Sequence, residues 1–318
     1  MEIQKLFNKK IECIDNFIFL NKDSTHQKQQ QTNDIFSDKW EKVDEMEKVG
    51  VFEDSQFKWY LELYGFKNEE ELKVFLQSKR VIFDAGCGLG YKAAWFAKLA
   101  PNSIVIGMDF SEAAKMAAKR YKDIPNLYFV QGDIADTKLN SGIVDYVSCD
   151  QVIMHTEVPE NTFAHLTDIT SQNGEFACYV YSKKALPREL LDDYFRQNVI
   201  NFDSEKVWEM SRQLTQLGKT LSELKINIDV PDIPMLNIKG GNYDLQRFIY
   251  WNFIKCFWRD DWGIEMSDAT NFDWYSPSNA KRYSEEEYTK MIEANALDIV
   301  TFHKEEACYS GRFKKTRT

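Results

Sequence analysis

The stretch Val81-Ile82-Phe83-Asp84-Ala85-Gly86-Cys87-Gly88-Leu89-Gly90-Tyr91 decides how this chain is read. An apolar run ends in an acid, three glycines then alternate with other residues, and a helical pattern begins at Tyr91. Glycine permits a tight turn and lets a ligand approach the backbone closely. A dinucleotide-binding loop has the spacing G-x-G-x-x-G, which would put its third glycine at position 91, where Tyr91 stands. Asp84 would also repel a pyrophosphate. A nicotinamide-dependent enzyme is therefore disfavoured.

Outward from this loop, short apolar runs alternate with helical stretches. Val81 to Phe83, Ile104 to Met108, Leu127 to Val130, Val144 to Ser148 and Phe176 to Tyr181 read as strands. Tyr91 to Leu99, Glu112 to Tyr121 and Pro159 to Thr170 read as the helices between them. Such alternation predicts an α/β fold with a parallel sheet covered on both faces. Ser284, with Glu287 three residues on, predicts a capped helix to Ala294, followed by strands at Leu297 to Phe302 and Ala307 to Phe313 that complete the sheet. Ile3, Leu6, Phe7, Ile11, Ile14, Phe17 and Ile18 recur at helical spacing, so the first twenty residues are expected to form an amphipathic helix. A polar linker is expected from Asn21 to Asp34. The organisation expected is a helical extension and cofactor cover over 1–78, a Rossmann-like core over 79–183, a mainly helical insertion over 184–283, and a closing helix with two strands over 284–318.

The 318 residues suffice for a large core, and 43% hydrophobic with 28% charged residues is ordinary globular usage. The net charge of −10 argues against a nucleic-acid or anionic-membrane partner. No run reaches the roughly 20 apolar residues of a membrane span, and charged residues interrupt the first twenty positions, so neither a span nor a secretory signal is expected. Six cysteines without a CxxC pair favour a reducing, cytoplasmic setting. The four histidines are not spaced to bind a metal from one helix face, and no protein-held metal is expected.

Asp84 suits a ligand that carries an ammonium and a sulfonium, which describes S-adenosyl-L-methionine. Two further acids end successive strands. Asp109 closes the second strand, where a carboxylate accepts bonds from ribose hydroxyls, and Asp133 follows the third, where it meets the exocyclic amine of adenine. With these residues in view, the chain resembles the class I S-adenosylmethionine-dependent methyltransferases, in particular their type 11 small-molecule branch. DAGCGLG at 84–90, MDFS at 108–111 and QGDI at 131–134 are similar to that family's first three motifs. Asp145 to Thr156 resembles its fourth-strand segment, with Met154 in place of the first histidine of a common pair.

The resemblance implies a seven-stranded sheet in the order 3-2-1-4-5-7-6 with an antiparallel last strand. It also implies that Asp84, Gly86, Cys87 and Gly88 line the methionine end of the cofactor, that Phe110 flanks adenine beside Asp109, and that Ile134 touches the ring beside Asp133. Asp150 and Gln151 would form the wall under the sulfonium. Methyl transfer demands alignment and, for oxygen or nitrogen acceptors, removal of a proton. His155, just past the fourth strand, is the candidate base, with a capping or packing role as its alternative. Asp192, Asp193 and Tyr275 follow by position, and Trp40 and Tyr275 are also candidate substrate contacts, in segments expected to cover the pocket. The aromatic block Phe248 to Trp262 reads either as part of a lid over a small-molecule substrate or as a subsidiary core or homodimer contact. A protein that binds S-adenosylmethionine without transferring methyl, as a sensor or partner subunit, is the rival function.

Overall fold

A computed structural model of the chain describes residues 2–21 and 26–316. Its strands are β1 (Cys13–Ile14), β2 (Phe17–Phe19), β3 (Val81–Ala85), β4 (Ile104–Asp109), β5 (Leu127–Gln131), β6 (Val144–Cys149), β7 (Thr170–Ser182), β8 (Asn227–Val230), β9 (Gly241–Asp244), β10 (Arg282–Tyr283), β11 (Leu297–Lys304) and β12 (Cys308–Lys315). Its helices are α1 (Gln27–Asp44), α2 (Val49–Leu63), α3 (Glu69–Gln77), α4 (Tyr91–Leu99), α5 (Ala113–Arg120), α6 (Pro159–Ile169), α7 (Leu186–Val199), α8 (Ser204–Glu223), α9 (Leu245–Asn252), α10 (Gly263–Tyr275) and α11 (Glu285–Ala294). The chain divides into a core unit, Met1–Asn33 with Ser55–Ser182 and Lys281–Thr318, and a helical unit, Asp34–Asp54 with Lys183–Ala280. The second unit thus takes in a segment from before the glycine loop, which the sequence reading had assigned to an N-terminal extension.

In the core unit the sheet runs β1-β2-β5-β4-β3-β6-β7-β12-β11, with β10 paired to β7. Seven of its ten strands, numbered from β3 with β10 left out, follow the expected order 3-2-1-4-5-7-6, with β12 antiparallel to β7, and β1, β2 and β10 are additions to the expected seven. Successive residues of β3 serve opposite faces. Val81, Phe83 and Ala85 join a core with Phe163 of α6 and Ile292 of α11, whereas Ile82 joins Phe96 of α4 and Leu72 of α3. All five β3 residues are buried, as befits a central parallel strand covered on both sides. The capping box at α11 forms as its sequence predicts, with Ser284 and Glu287 bonding reciprocally.

Two differences stand at the N-terminus. The expected amphipathic helix is instead a 3-10 turn at Ile3–Leu6 followed by the β1–β2 hairpin. Asp15 takes a left-handed conformation (φ 55°) in the connecting turn, and Ile18 is fully buried where β2 pairs in parallel with β5. Covering the edge of β5 gives Phe17-Ile18-Phe19 a strand partner, and this overrides the helical spacing. The expected linker is helical from Gln27 onward, while residues 22–25 lie outside the described residues.

The helical unit also contains a β8–β9 hairpin. Trp208 of α8 stacks on Phe272 of α10 at 4.0 Å and 11°. Trp262 of the aromatic block packs against Phe257 and Phe52 at 5.3 and 5.2 Å, which is core packing within this unit. Among the described residues no helix is long and apolar enough to cross a membrane.

Candidate functional site

The carboxyl ends of β3, β4, β5 and β6 lie side by side in the core unit, in register Asp84↔Gly107, Asp84↔Ser148 and Asp109↔Gln131. This is the edge where open parallel sheets bind ligands. The loop from β3 to α4 is tied to β4 by bonds from the Gly86 and Cys87 N–H groups to the Met108 carbonyl, at 2.7 and 2.9 Å. Gly86 has a φ of 77°, and a Cβ there would come within 2.3–2.8 Å of the Val152 side chain. A side chain at 86 therefore meets Val152 before any ligand. Gly90 (φ 78°) lets α4 start close to Phe129.

Asp84 is 1% exposed, and its Oδ2 has no hydrogen-bond partner. Burial pushes its carboxyl up to about 7, against the opposing pull of Lys92. Asp109 is fastened more fully. Its Oδ1 accepts the Ser111 N–H and hydroxyl at 2.9 and 2.6 Å, and its Oδ2 accepts the Gly88 N–H at 2.8 Å. That leaves Oδ2 one acceptor position. Burial raises the Asp109 carboxyl above the ordinary range, with these bonds opposing the rise. Asp133 accepts the Ala135 N–H on Oδ1 at 2.8 Å, and burial raises it too. Phe110 is half-buried, Ile134 and Cys87 are buried, and burial pushes the Cys87 thiol well above its usual range.

Asp150, expected as cofactor wall, is occupied by protein groups. Lys92 donates to its Oδ2 at 2.5 Å, Tyr64 donates to its Oδ1 at 2.9 Å, and Gln151 Nε2 lies 3.2 Å from Oδ2. Gln151 holds a left-handed backbone (φ 65°) and donates to Gln56 Oε1 at 2.7 Å. A non-glycine residue in that conformation stores strain that its surroundings must sustain. Burial, the largest single influence, would lower the Lys92 ammonium, but Asp150, Tyr91 and Asp84 together raise it. Lys92, Tyr64 and Gln56 escape sequence reading because a lysine at the start of a helix and polar groups on a preceding helix resemble solvent-facing residues. The available signal was the apolar company of Lys92 between Tyr91 and Ala93-Ala94.

His155 is buried in a short 3-10 turn after β6, with Nε2 3.3 Å from the Tyr181 hydroxyl. Trp40 and Tyr275 both belong to the helical unit. Trp40 lies under the Lys39 ammonium, 4.4 Å from its ring centroid. The Tyr275 hydroxyl donates to Asp192 at 3.0 Å and accepts the Lys255 N–H at 3.2 Å. Asp192 also receives Arg188 at 2.8 and 2.9 Å. The Tyr275 ring borders an apolar cavity of about 320 Å³ with Phe195, Val199, Val207, Leu214 and Ile254.

Residues 83–178, from within β3 to within β7, match the family described as methyltransferase domain. This stretch of the core unit, just under a third of the chain, carries a methyltransferase domain. Over 55 residues, 17% of this chain and 21% of the relative, the sequence is 42% identical to trans-aconitate 2-methyltransferase of Deinococcus radiodurans. Over 99 residues, 30% of this chain and 36% of the relative, it is 29% identical to malonyl-[acyl-carrier protein] O-methyltransferase of Halalkalibacterium halodurans. Matched stretches span between 21% and 36% of the length of the curated relatives. The solved structure of magnesium protoporphyrin IX methyltransferase from Synechocystis is similar with a TM-score of 0.47 and 13% identity, over 91% of this chain and 98% of that one. The residues at the sheet edge suit the cofactor, because Asp84 Oδ2 is a buried acceptor without a donor and an α-ammonium would supply one.

Proposed function

We propose that this chain methylates an oxygen or nitrogen of a small-molecule metabolite with S-adenosyl-L-methionine as donor. The observation that carries the reading is the buried, partnerless Asp84 Oδ2 beside the glycine loop, at the sheet edge it shares with Asp109 and Asp133. When bound, the cofactor supplies an electrophilic methyl group on sulfur. Asp84 holds its ammonium, Asp109 Oδ2 takes ribose, Asp133 takes the adenine amine, and Phe110 and Ile134 flank the ring. Gly86, Cys87 and Gly88 keep the backbone close to the methionine end. His155 accepts the proton of the methyl acceptor, with the Tyr181 hydroxyl orienting its ring. Asp150 is unsuited to that task, because Lys92 neutralises it.

A small acceptor is supported by the net charge of −10, which opposes a nucleic-acid substrate, and by the metabolite in the name of the Deinococcus relative. The cytoplasm is our expected location, supported by six free cysteines. The test supplies the protein and methyl-labelled cofactor to the small-molecule fraction of a cell extract and follows the mass shift of a methyl group. Transfer that falls about a hundredfold in His155→Ala while S-adenosylhomocysteine affinity is kept supports the base assignment. Tight S-adenosylhomocysteine binding with no labelled metabolite would favour the sensor or partner-subunit reading, and equal stabilisation by NAD would reject the cofactor.

A further inference from the structure

Away from the cofactor edge, the turn between β11 and β12 brings together three side chains that bind soft cations. His303 lies in β11 and Glu305 just past its end, and the hairpin places Cys308 opposite Glu305, where their backbones exchange N–H···O bonds of 3.1 and 3.2 Å. His303 Nε2 lies 3.4 Å from Glu305 Oε2, and Cys308 Sγ lies 3.8 Å from Glu305 Oε1. One donor atom from each of the three residues lies within 4.8 Å of the other two. Zinc bonds of roughly 2.3 Å to sulfur and 2.0–2.2 Å to nitrogen or oxygen give a tetrahedron whose edges are about 3.3–3.6 Å. The His303–Glu305 separation matches such an edge, the Cys308–Glu305 separation, taken to the other carboxylate oxygen, is longer, and all three donors lie within 4.8 Å, so side-chain rotation would have to draw them in to complete the ligand set.

We propose that His303, Glu305 and Cys308 form a site for a soft divalent cation of the zinc class, with its fourth position left to water or an outside ligand. Thiolate, imidazole and carboxylate together select zinc-like ions over magnesium, which demands an oxygen octahedron. Binding releases the Cys308 thiol proton to solvent and takes His303 in its neutral form, so no redox partner is needed. The frame is held in place. Ser182 donates to the carbonyls of Ala307 and Glu306 at 3.2 and 2.6 Å, fixing the turn against β7. Cys308 is fully buried, whereas the His303 and Glu305 side chains are each 31% exposed and give a cation its approach. Lys304 sits one residue out of phase and pairs with Glu285 at 3.4 Å, so its ammonium is held by that acid. The histidine spacing that argued against a helix-borne metal site does not address this arrangement, in which a hairpin, not a helix, gathers the donors.

The probe is Co²⁺ alone, added to the full chain after chelator treatment and read by its thiolate-to-metal absorption. We expect one Co²⁺ per chain, displaced by Zn²⁺ but not by Mg²⁺. Cys308→Ser should abolish the absorption, and His303→Ala should weaken Co²⁺ binding at least tenfold. Because Cys308 is buried, the half-exposed pair His303→Ala/Glu305→Gln serves if Cys308→Ser does not fold, and it too should lose the absorption. No thiolate absorption in the wild type, or its survival in these variants, overturns the proposal. Methyl transfer is not part of the readout, so the site stands or falls independently of the proposed activity.

Discussion

Replacing Asp84 with asparagine should make the ligand-free protein more stable and the cofactor site useless. The folded chain holds this carboxyl at about 7 against an ordinary 3.8, because burial penalises its charge. A raised carboxyl adds stability that is complete below the unfolded-state value and is lost as pH rises through the folded-state value. The stability lost across that interval is on the order of 4 kcal/mol, at 1.36 kcal/mol for each pH unit. Asparagine keeps the shape and carries no charge. The stability gap in favour of Asp84→Asn should therefore open near pH 4 and reach its full size, up to about 4 kcal/mol, above pH 7.

Affinity should move the other way. An α-ammonium gives the wild type the charge that burial makes costly to leave alone, and the variant has no anion to offer it. S-adenosylhomocysteine at 100 times its wild-type dissociation constant should stabilise the wild type by about 2.7 kcal/mol and the variant by much less. Urea unfolding from pH 4 to 8, with and without this ligand, reads both effects in one series. The reasoning fails if Asp84→Asn is less stable than wild type at pH 8, or if the variant binds S-adenosylhomocysteine equally well.

Asp109→Ala should lose about ten- to a hundredfold in S-adenosylhomocysteine affinity by calorimetry, the worth of a charged acceptor at roughly 1.5–3 kcal/mol. Lys92→Met should cost about 3–5 kcal/mol in chemical denaturation because it leaves Asp150 buried and unpaired, and the double change Lys92→Met/Asp150→Asn should recover much of this. Gly86→Ala should cost about 1–3 kcal/mol through its contact with Val152, partly regained by adding Val152→Ala, also read by denaturation.

Where local pattern and tertiary demand agree, the sequence is legible. The strands β3 to β6 and the helix α4 follow from apolar runs bounded by glycine and acid, and the capped helix α11 follows from Ser284 and Glu287. Legibility fails where a partner distant in sequence decides. Phe17 to Phe19 are helical by spacing but become a strand because β5 offers an open edge more than a hundred positions away. The grouping of Asp34–Asp54 with Lys183–Ala280 is of the same kind, resting on bonds such as Lys39 to Asp273 at 2.7 Å. In the site, glycines and strand-end acids announce themselves by spacing. Lys92 and Tyr64 do not, since their chemistry is created by burial.

That burial assigns different tasks to acids which look alike in sequence. Asp150 and Asp84 both end strands at the same edge, yet Asp150 is matched by Lys92, Tyr64 and Gln151. Asp84 keeps an oxygen without a donor, and it feels Lys92 only as a through-space charge. If Lys92 were drawn to Asp84 instead, the ammonium-binding position would be filled from within and Asp150 would be the group seeking a cation. The Lys92–Asp150 pair is thus matched internally, while Asp84 keeps the donor-free oxygen on which the proposed ammonium contact rests. A like-charge neighbour raises a carboxyl, so removing the Asp150 charge relieves Asp84, whereas removing Lys92 alone burdens it. Hence Lys92→Met should raise the Asp84 carboxyl further, and Lys92→Met/Asp150→Asn should bring it back toward the wild-type value. A carboxyl-resolved NMR titration distinguishes this from a purely structural pair, for which the Asp84 titration would be the same in all three proteins.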